Sequence, residues 1–267
     1  MSELTIAGAQ LQVATEAAGV WLGTDEFEGL VERVRADVVA LFADQVHRSV
    51  WAPPVIASAV VARTGYRNSF PHLLGEVSTQ LVHTDLMLTA AACHHAYPLI
   101  AETMPTAPFC LAVEATCFRN EATAEPGRLR SFRMREIVFV ATPDTCLAWR
   151  DGSIQLARMW LAELGIDATV HNADDPFFGP SGRLMRATQR DQQLKWELSV
   201  PVGDGTLQAV ASSNYHKDHF STAFGFRGRG EHTLHSSCIG FGLERLALVL
   251  LARHGSDVRK WPAFSTR

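Results

Sequence analysis

Two stretches decide how this chain is read: CFRNEATAEPGRLRSF from Cys117 to Phe132, and CIGFGLERL from Cys238 to Leu246. Each sets an arginine beside an acid, Arg119 near Glu121 and Arg245 directly after Glu244. A guanidinium is a planar, permanently charged fork that matches phosphate oxygens. Chemistry at the α-phosphate of a nucleotide needs such groups fixed where charge develops. The first stretch reads as two β-like runs joined by the loop EATAEPGR, with Arg119 near the end of one run. Arg128 and Arg130 flank the loop's exit, and Phe132 opens the second run, where its ring can stack on a purine. A surface hairpin carrying solvated arginines is the rival reading of the same residues.

Outward from this pair, apolar residues at Leu30, Val34, Val38, Leu41 and Val46 recur at helical spacing and predict a helix over 25–50, closed by Trp51-Ala-Pro-Pro. A second helix is expected over the small, apolar stretch Leu86–Ile100. Three β-rich runs are predicted at Phe109–Phe118, Phe132–Thr142 and Trp196–Val202, with a helix at Ser153–Leu164 stopped by Gly165. Asp174–Gly179 reads as a loop and Leu207–Asn214 as a final run before the glycine-rich FGFRGRGEH. Leu243, Leu246, Ala247 and Leu250 form one buried helical stripe. Strand runs interrupted by single helices favour an α+β fold with an antiparallel sheet.

The bulk numbers bound the answer. At 267 residues the chain suits one large domain, or one domain with an appended arm. A net charge of -4 argues against a protein built mainly to hold nucleic acid. Five scattered cysteines give no disulfide framework, and no apolar run is long enough to span a bilayer. MSELTIAGAQ lacks a basic start followed by an apolar core, so the cytoplasm is the expected compartment.

The pattern F-R-N-E, loop, R-x-x-x-F resembles motif 2 of the class II aminoacyl-tRNA synthetases, and GFGLERL at Gly240–Leu246 resembles their motif 3. The resemblance implies a class II synthetase-like antiparallel β-sheet flanked by helices. It implies that Arg119 binds the α-phosphate, Glu121 reads the adenine amine, and Phe132 and Arg245 sandwich the base, with Arg128 also in the ATP site. Motif 1 is poorly preserved, Gly65-Tyr66 through Pro71 being a degenerate version. YRNSFPHLLGEV, KWELSV and ASSNYHKDHF are most similar to seryl-tRNA synthetase catalytic domains. The metal-binding glutamate of those enzymes is replaced, with Gln208-Ala209 near its place, which puts the holding of Mg²⁺ around ATP in question.

Cys93, Glu136 and Cys238 each lie beside one of these elements. From the residues alone, small buried cysteines and a strand-edge carboxylate are the favoured reading. The resemblance implies more: some seryl-type enzymes, chiefly archaeal, and the related amino acid:carrier-protein ligases hold Zn²⁺ with a Cys-Glu-Cys set that binds the substrate's amine. His94 and His95 are rival ligands, and Cys110, Cys117 and Cys146 read as core. Residues 1–50 are expected as a helical arm and 51–267 as the catalytic domain, without room for a tRNA-gripping hairpin or an anticodon domain. The chain is therefore most similar to amino acid:carrier-protein ligases, compact relatives that do not charge tRNA. That likeness, strongest over Asp174–Leu198, implies adenylation of a small amino acid (glycine or alanine) and transfer to a carrier protein's phosphopantetheine thiol. It also implies a homodimer, with Asp175, Lys195 and Glu197 lining the amino acid pocket and Arg183, Arg186 and Arg190 as docking candidates. A solvated strand and a loop-capping aspartate, or an exposed helix face, explain those residues too. A minimal tRNA-charging enzyme and a catalytically silent paralogue are the competing functions.

Overall fold

The computed structural model describes residues 3–6, 9–121, 127–180, 182–202, 206–228 and 233–263. Parts of the EATAEPGR loop and of FGFRGRGEH lie outside them. In chain order come β1 (Glu3–Ile6), β2 (Ala9–Ala14), β3 (Trp21–Gly23), α1 (Asp25–Leu41), β4 (Arg48–Trp51), β5 (Val55–Ala57), α2 (Ser58–Arg63) and α3 (Tyr66–Ser69). Next are β6 (Glu76–Ser78), β7 (His83–Leu88), α4 (Ala96–Thr103), β8 (Phe109–Phe118), β9 (Ser131–Ala141), α5 (Pro143–Glu163) and β10 (Thr169–Asn172). The chain continues through α6 (Gly182–Asp191), β11 (Lys195–Val202), β12 (Thr206–Lys217), α7 (His219–Phe224), β13 (His235–Gly242) and α8 (Leu243–His254).

A seven-stranded sheet ordered β10-β11-β12-β13-β9-β8-β4 forms the body. Its strands are antiparallel except for β4, which pairs parallel to β8 at the edge. Period-two alternation gives the sheet two different faces. Ile137, Phe139, Ile239 and Phe241 face a core shared with α1, α5 and α8. Val113, Ala115, Cys117, Val138 and Cys238 face the other way, into a cluster with Tyr97 and Ile100 of α4 and Phe220 and Phe224 of α7. Those elements cover only part of the second face, and the site occupies the remainder.

Four expectations change. The first helix stops at Leu41, because His47 N–H donates to the Cys110 carbonyl and Arg48–Trp51 is drawn into pairing with β8. Among the described residues of the helical arm expected at 1–50, only α1 is helical; it follows the separate sheet β1-β2-β3 and buries Phe27, Leu30 and Val34 in the main core. Leu86–Ile100 is strand, then a 3-10 turn at Ala92–His95, then helix. Pro98, lacking an N–H, is accommodated in the first turn of α4 and bars an earlier start. Finally, α5 begins ten residues before Ser153, with Pro143 in its first turn, and passes through Gly152 because Cys146, Arg150, Ser153 and Ile154 are buried along it.

Candidate active site

Strand β9 works as a ruler. Phe132, Met134 and Glu136 leave on the open face, while Arg133, Arg135 and Ile137 leave on the helix-covered face. Opposite them, Gly240 pairs with Glu136 and Gly242 with Met134. Both glycines of GFG therefore fall on the open face, while Phe241 between them is fully buried in the helix-side core. The cross-strand rows continue through Ser212 and Glu197, and through Asn214 and Lys195. Directly opposed residues share a face, so Lys195, Glu197, Glu136, Phe132 and Cys238 line one surface.

At its centre Cys93, Glu136 and Cys238 bring their ligand atoms within 4.8 Å of one another, all three residues buried. Cys93 arrives from the 3-10 turn, Glu136 from β9 and Cys238 from β13. Backbone N–H of Ala92 donates to Glu136 Oε1 at 2.7 Å, locking turn to strand. A hydrogen bond with Cys238, together with burial, pushes the Cys93 thiol far up. The same hydrogen bond, with help from His216 and Asn214, holds Cys238 well below the usual thiol range despite its burial. A cation bound between the two sulfurs would take the place of the thiol proton. The donor set fits zinc: two thiolates at about 2.3 Å from a tetrahedral ion stand roughly 3.8 Å apart, inside the 4.8 Å within which these ligand atoms lie. His94 packs its ring edge-on to Tyr66, and His95 Nε2 lies 3.0 Å from Thr89 Oγ1.

Beside the cluster lie the arginines. Arg119 Nε donates to the Ala90 carbonyl, and its Cζ sits 5.5 Å from the centre of the Phe132 ring. Arg245, in the first turn of α8, donates to the carbonyls of Gly127 and Ala209. Burial and the neighbouring guanidiniums of Arg128 and Arg119 push Arg245 down to about 10, against the pull of Glu121 and Glu197. Arg245 is thus repelled by two neighbouring guanidiniums, and an anion bound beside it would relieve that repulsion. Lys195 Nζ bonds Asp175 Oδ1 at 2.6 Å and Glu197 Oε1 at 2.9 Å. Burial lowers Lys195, but the two carboxylates outweigh it and hold the ammonium above its ordinary value. The structure thus joins Asp175, Lys195 and Glu197 in one ion cluster, within electrostatic reach of Arg119 and Arg245. Arg183, Arg186 and Arg190 lie on α6, where Arg190 pairs with Asp174.

Sequence reasoning missed three features. Glu244 turns away from Arg245 and accepts hydrogen bonds from Arg133. Asn214 and His216 approach the Cys238 sulfur at 3.7 and 3.6 Å, both inside the quoted ASSNYHKDHF segment. Gln208 pairs with Val200 on the helix-covered face, which leaves Ala209 as the member of that pair on the site face.

The tRNA synthetase class II core domain (G, H, P, S and T) matches residues 77–254. The amino acid–acyl-carrier-protein ligase 1 of Bradyrhizobium diazoefficiens is 34% identical, over 92% of this chain and 83% of its own length. Ligase 2 of the same organism is 35% identical over 91% of this chain and 80% of its own. This chain belongs to that ligase family. The type-2 serine–tRNA ligase of Methanopyrus kandleri is also similar, 28% identical over 71% of the chain and 38% of its own length. In fold, the ligase-family chain matches the M. kandleri seryl-tRNA synthetase solved with A. aeolicus tRNASec, at a TM-score of 0.78 and 21% identity. It spans 94% of this chain and 56% of that one. Among the described residues, no helix is long and apolar enough to cross a membrane.

Proposed function

We propose that this ligase activates a small amino acid, glycine or alanine, with ATP and hands it to the phosphopantetheine thiol of a carrier protein. One observation carries the reading: a buried Cys-Glu-Cys cluster lies on the sheet face that carries Phe132, beside Arg119 and an Arg245 repelled by its neighbouring guanidiniums. Cys93, Glu136 and Cys238 would hold Zn²⁺. When bound, the ion supplies an open position for a free amine. Asp175, Lys195 and Glu197 form the polar wall of the amino acid pocket.

ATP enters with Mg²⁺, its adenine between Phe132 and Arg245, its amine read by Glu121, and its α-phosphate against Arg119 with Arg128 beside it. The amino acid carboxylate oxygen attacks the α-phosphorus, a P–O bond forms, and pyrophosphate leaves. Positioning and charge stabilisation supply the acceleration, with no protein nucleophile. The carrier thiol then adds to the adenylate carbonyl, its proton passes to solvent, and AMP departs with the C–O electron pair. Carrier proteins are acidic as a class, and Arg183, Arg186 and Arg190 on α6 suit such a partner. The unpaired edge of β4, with Trp51 70% exposed, suits a homodimer. We place the protein in the cytoplasm.

Pyrophosphate exchange measured across all amino acids, with and without a chelator, tests the activation step. Labelled product is then offered to holo-carrier protein and to tRNA. Exchange with glycine or alanine, lost on chelation, and label on the carrier are expected. Label on tRNA alone moves the assignment to a minimal tRNA-charging enzyme, and exchange with no amino acid leaves a silent paralogue.

A further inference from the structure

Phe132 and Arg245 each have a neighbour in the chain that points the other way, and those neighbours are bonded to each other. Arg133 follows Phe132 on β9 and leaves on the helix side. Glu244 precedes Arg245 in the first turn of α8. The Glu244 carboxylate accepts the backbone N–H of Arg133 at 2.8 Å through Oε2 and its guanidinium Nε at 2.7 Å through Oε1. It therefore fixes the main chain of residue 133 as well as its side chain. The far end of the same guanidinium reaches Glu28 of α1, with Nη2 to Oε1 at 3.0 Å. Glu244 is buried and Arg133 largely so, whereas Glu28 is 43% exposed at its side chain.

We propose that Arg133 and Glu244 are positioning residues that set the gap between Phe132 and Arg245, and so govern affinity for the adenine nucleotide. This rests on the reading above that adenine lies between those two side chains. The β9–β13 ladder ends with Gly242 opposite Met134, so beyond it the Arg133–Glu244 pair ties β9 to the first turn of α8, and a ring clamp a few tenths of an ångström too wide loses contact on both faces. The Glu244 carboxylate spans the backbone N–H and the Nε–H of one residue and so holds distance and angle together, while both Nη groups go to Glu28; the lone ammonium of a lysine at 133 does not reproduce the Nε–H link. The Glu28 contact touches no backbone atom of Arg133, and it contributes little to the gap.

The test uses the full chain and ATP as the probe, with affinity read by titration calorimetry and steady-state exchange read beside it. Glu244→Gln, Arg133→Lys and Arg133→Met are each expected to weaken ATP about tenfold, with the KM for the amino acid within twofold and melting still cooperative. Glu28→Gln is expected within twofold of wild type. The double variant Glu244→Gln/Arg133→Met is expected to match the worse single, because one interaction is removed twice. Unchanged ATP affinity overturns the inference. So does a fall in kcat with equal weakening of both substrates, which marks a general structural anchor. Phe132→Ala separates the failures: if it too leaves ATP binding unchanged, the clamp reading is at fault, and if it weakens ATP while Glu244→Gln does not, only this inference falls.

Discussion

Gly240 is the position where a single methyl group most directly tests the site. Its strand backbone is in an ordinary conformation, so alanine there costs nothing in φ and recovers about 0.5–1 kcal/mol of unfolded-chain entropy. Against that gain, a Cβ at 240 would stand 3.0 Å from Met134 Cε and 3.3 Å from Glu136 Cγ. The Met134 methyl is the free end of a flexible chain and swings aside. Glu136 does not, because its carboxylate is held by the Ala92 N–H at 2.7 Å and wedged beside two sulfurs. It must retreat by a few tenths of an ångström, and forcing a methyl into a packed site costs roughly 1–3 kcal/mol. The net for Gly240→Ala is about 1 kcal/mol of destabilisation, a fall in Tm of roughly 2–4 °C at this chain length. Because the displaced atom belongs to a proposed ligand, zinc affinity is expected to drop about tenfold. Gly242→Ala is the control, since its Cβ would meet nothing nearer than 4.0 Å. Gly242 caps the N-terminus of α8, where alanine is poorer than glycine, so this variant is expected to melt slightly below the wild-type temperature and to keep its zinc affinity. Metal competition titration and thermal melts read both variants. Equal zinc affinity in Gly240→Ala and wild type would refute the claim that Glu136 holds the ion.

Further expectations follow from the charged groups. Lys195→Met removes the partner of two carboxylates and is expected to cost about 2–3 kcal/mol, read by denaturant unfolding. Burial raises the Asp175 carboxyl, but Lys195 and the Gln189 hydrogen bond overcome this and hold it below the usual range. Its contribution is therefore present above the unfolded value near 3.9 and fades as pH falls through the lower folded value. Lys195 is shifted upward, so its share persists until pH rises past the ordinary lysine range near 10.4. In Lys195→Met the acid limb of stability against pH should be shallower. Gly127→Ala meets both a positive φ of 76° and the Arg245 Cγ at 3.2 Å. A several-fold rise in the KM for ATP is expected, with the amino acid KM unchanged, in the exchange assay. Cys238→Ser should lose zinc, measured by metal analysis, while remaining folded by circular dichroism.

Much of the site is written in short-range pattern. The alternation Phe132-Met134-Glu136 and the two glycines flanking Phe241 specify which atoms face the open side, because a strand's period of two is a local property. The stripe Leu243, Leu246, Ala247 and Leu250 likewise fixes the buried face of α8, and all four are fully buried. What tertiary structure alone decided is where separate segments meet. Arg48–Trp51 is strand only because β8 offers its edge, and His83–Leu88 only because β5 and β6 do. Hydrogen bonds to a partner outweigh the weak preference of a short apolar run. The arrival of Cys93 beside Cys238, the clasp of Lys195 by Asp175 and the turning of Glu244 toward Arg133 are of the same kind. Each joins residues far apart in the chain, and only the sheet's register and the helices packed on it bring their charges within bonding distance.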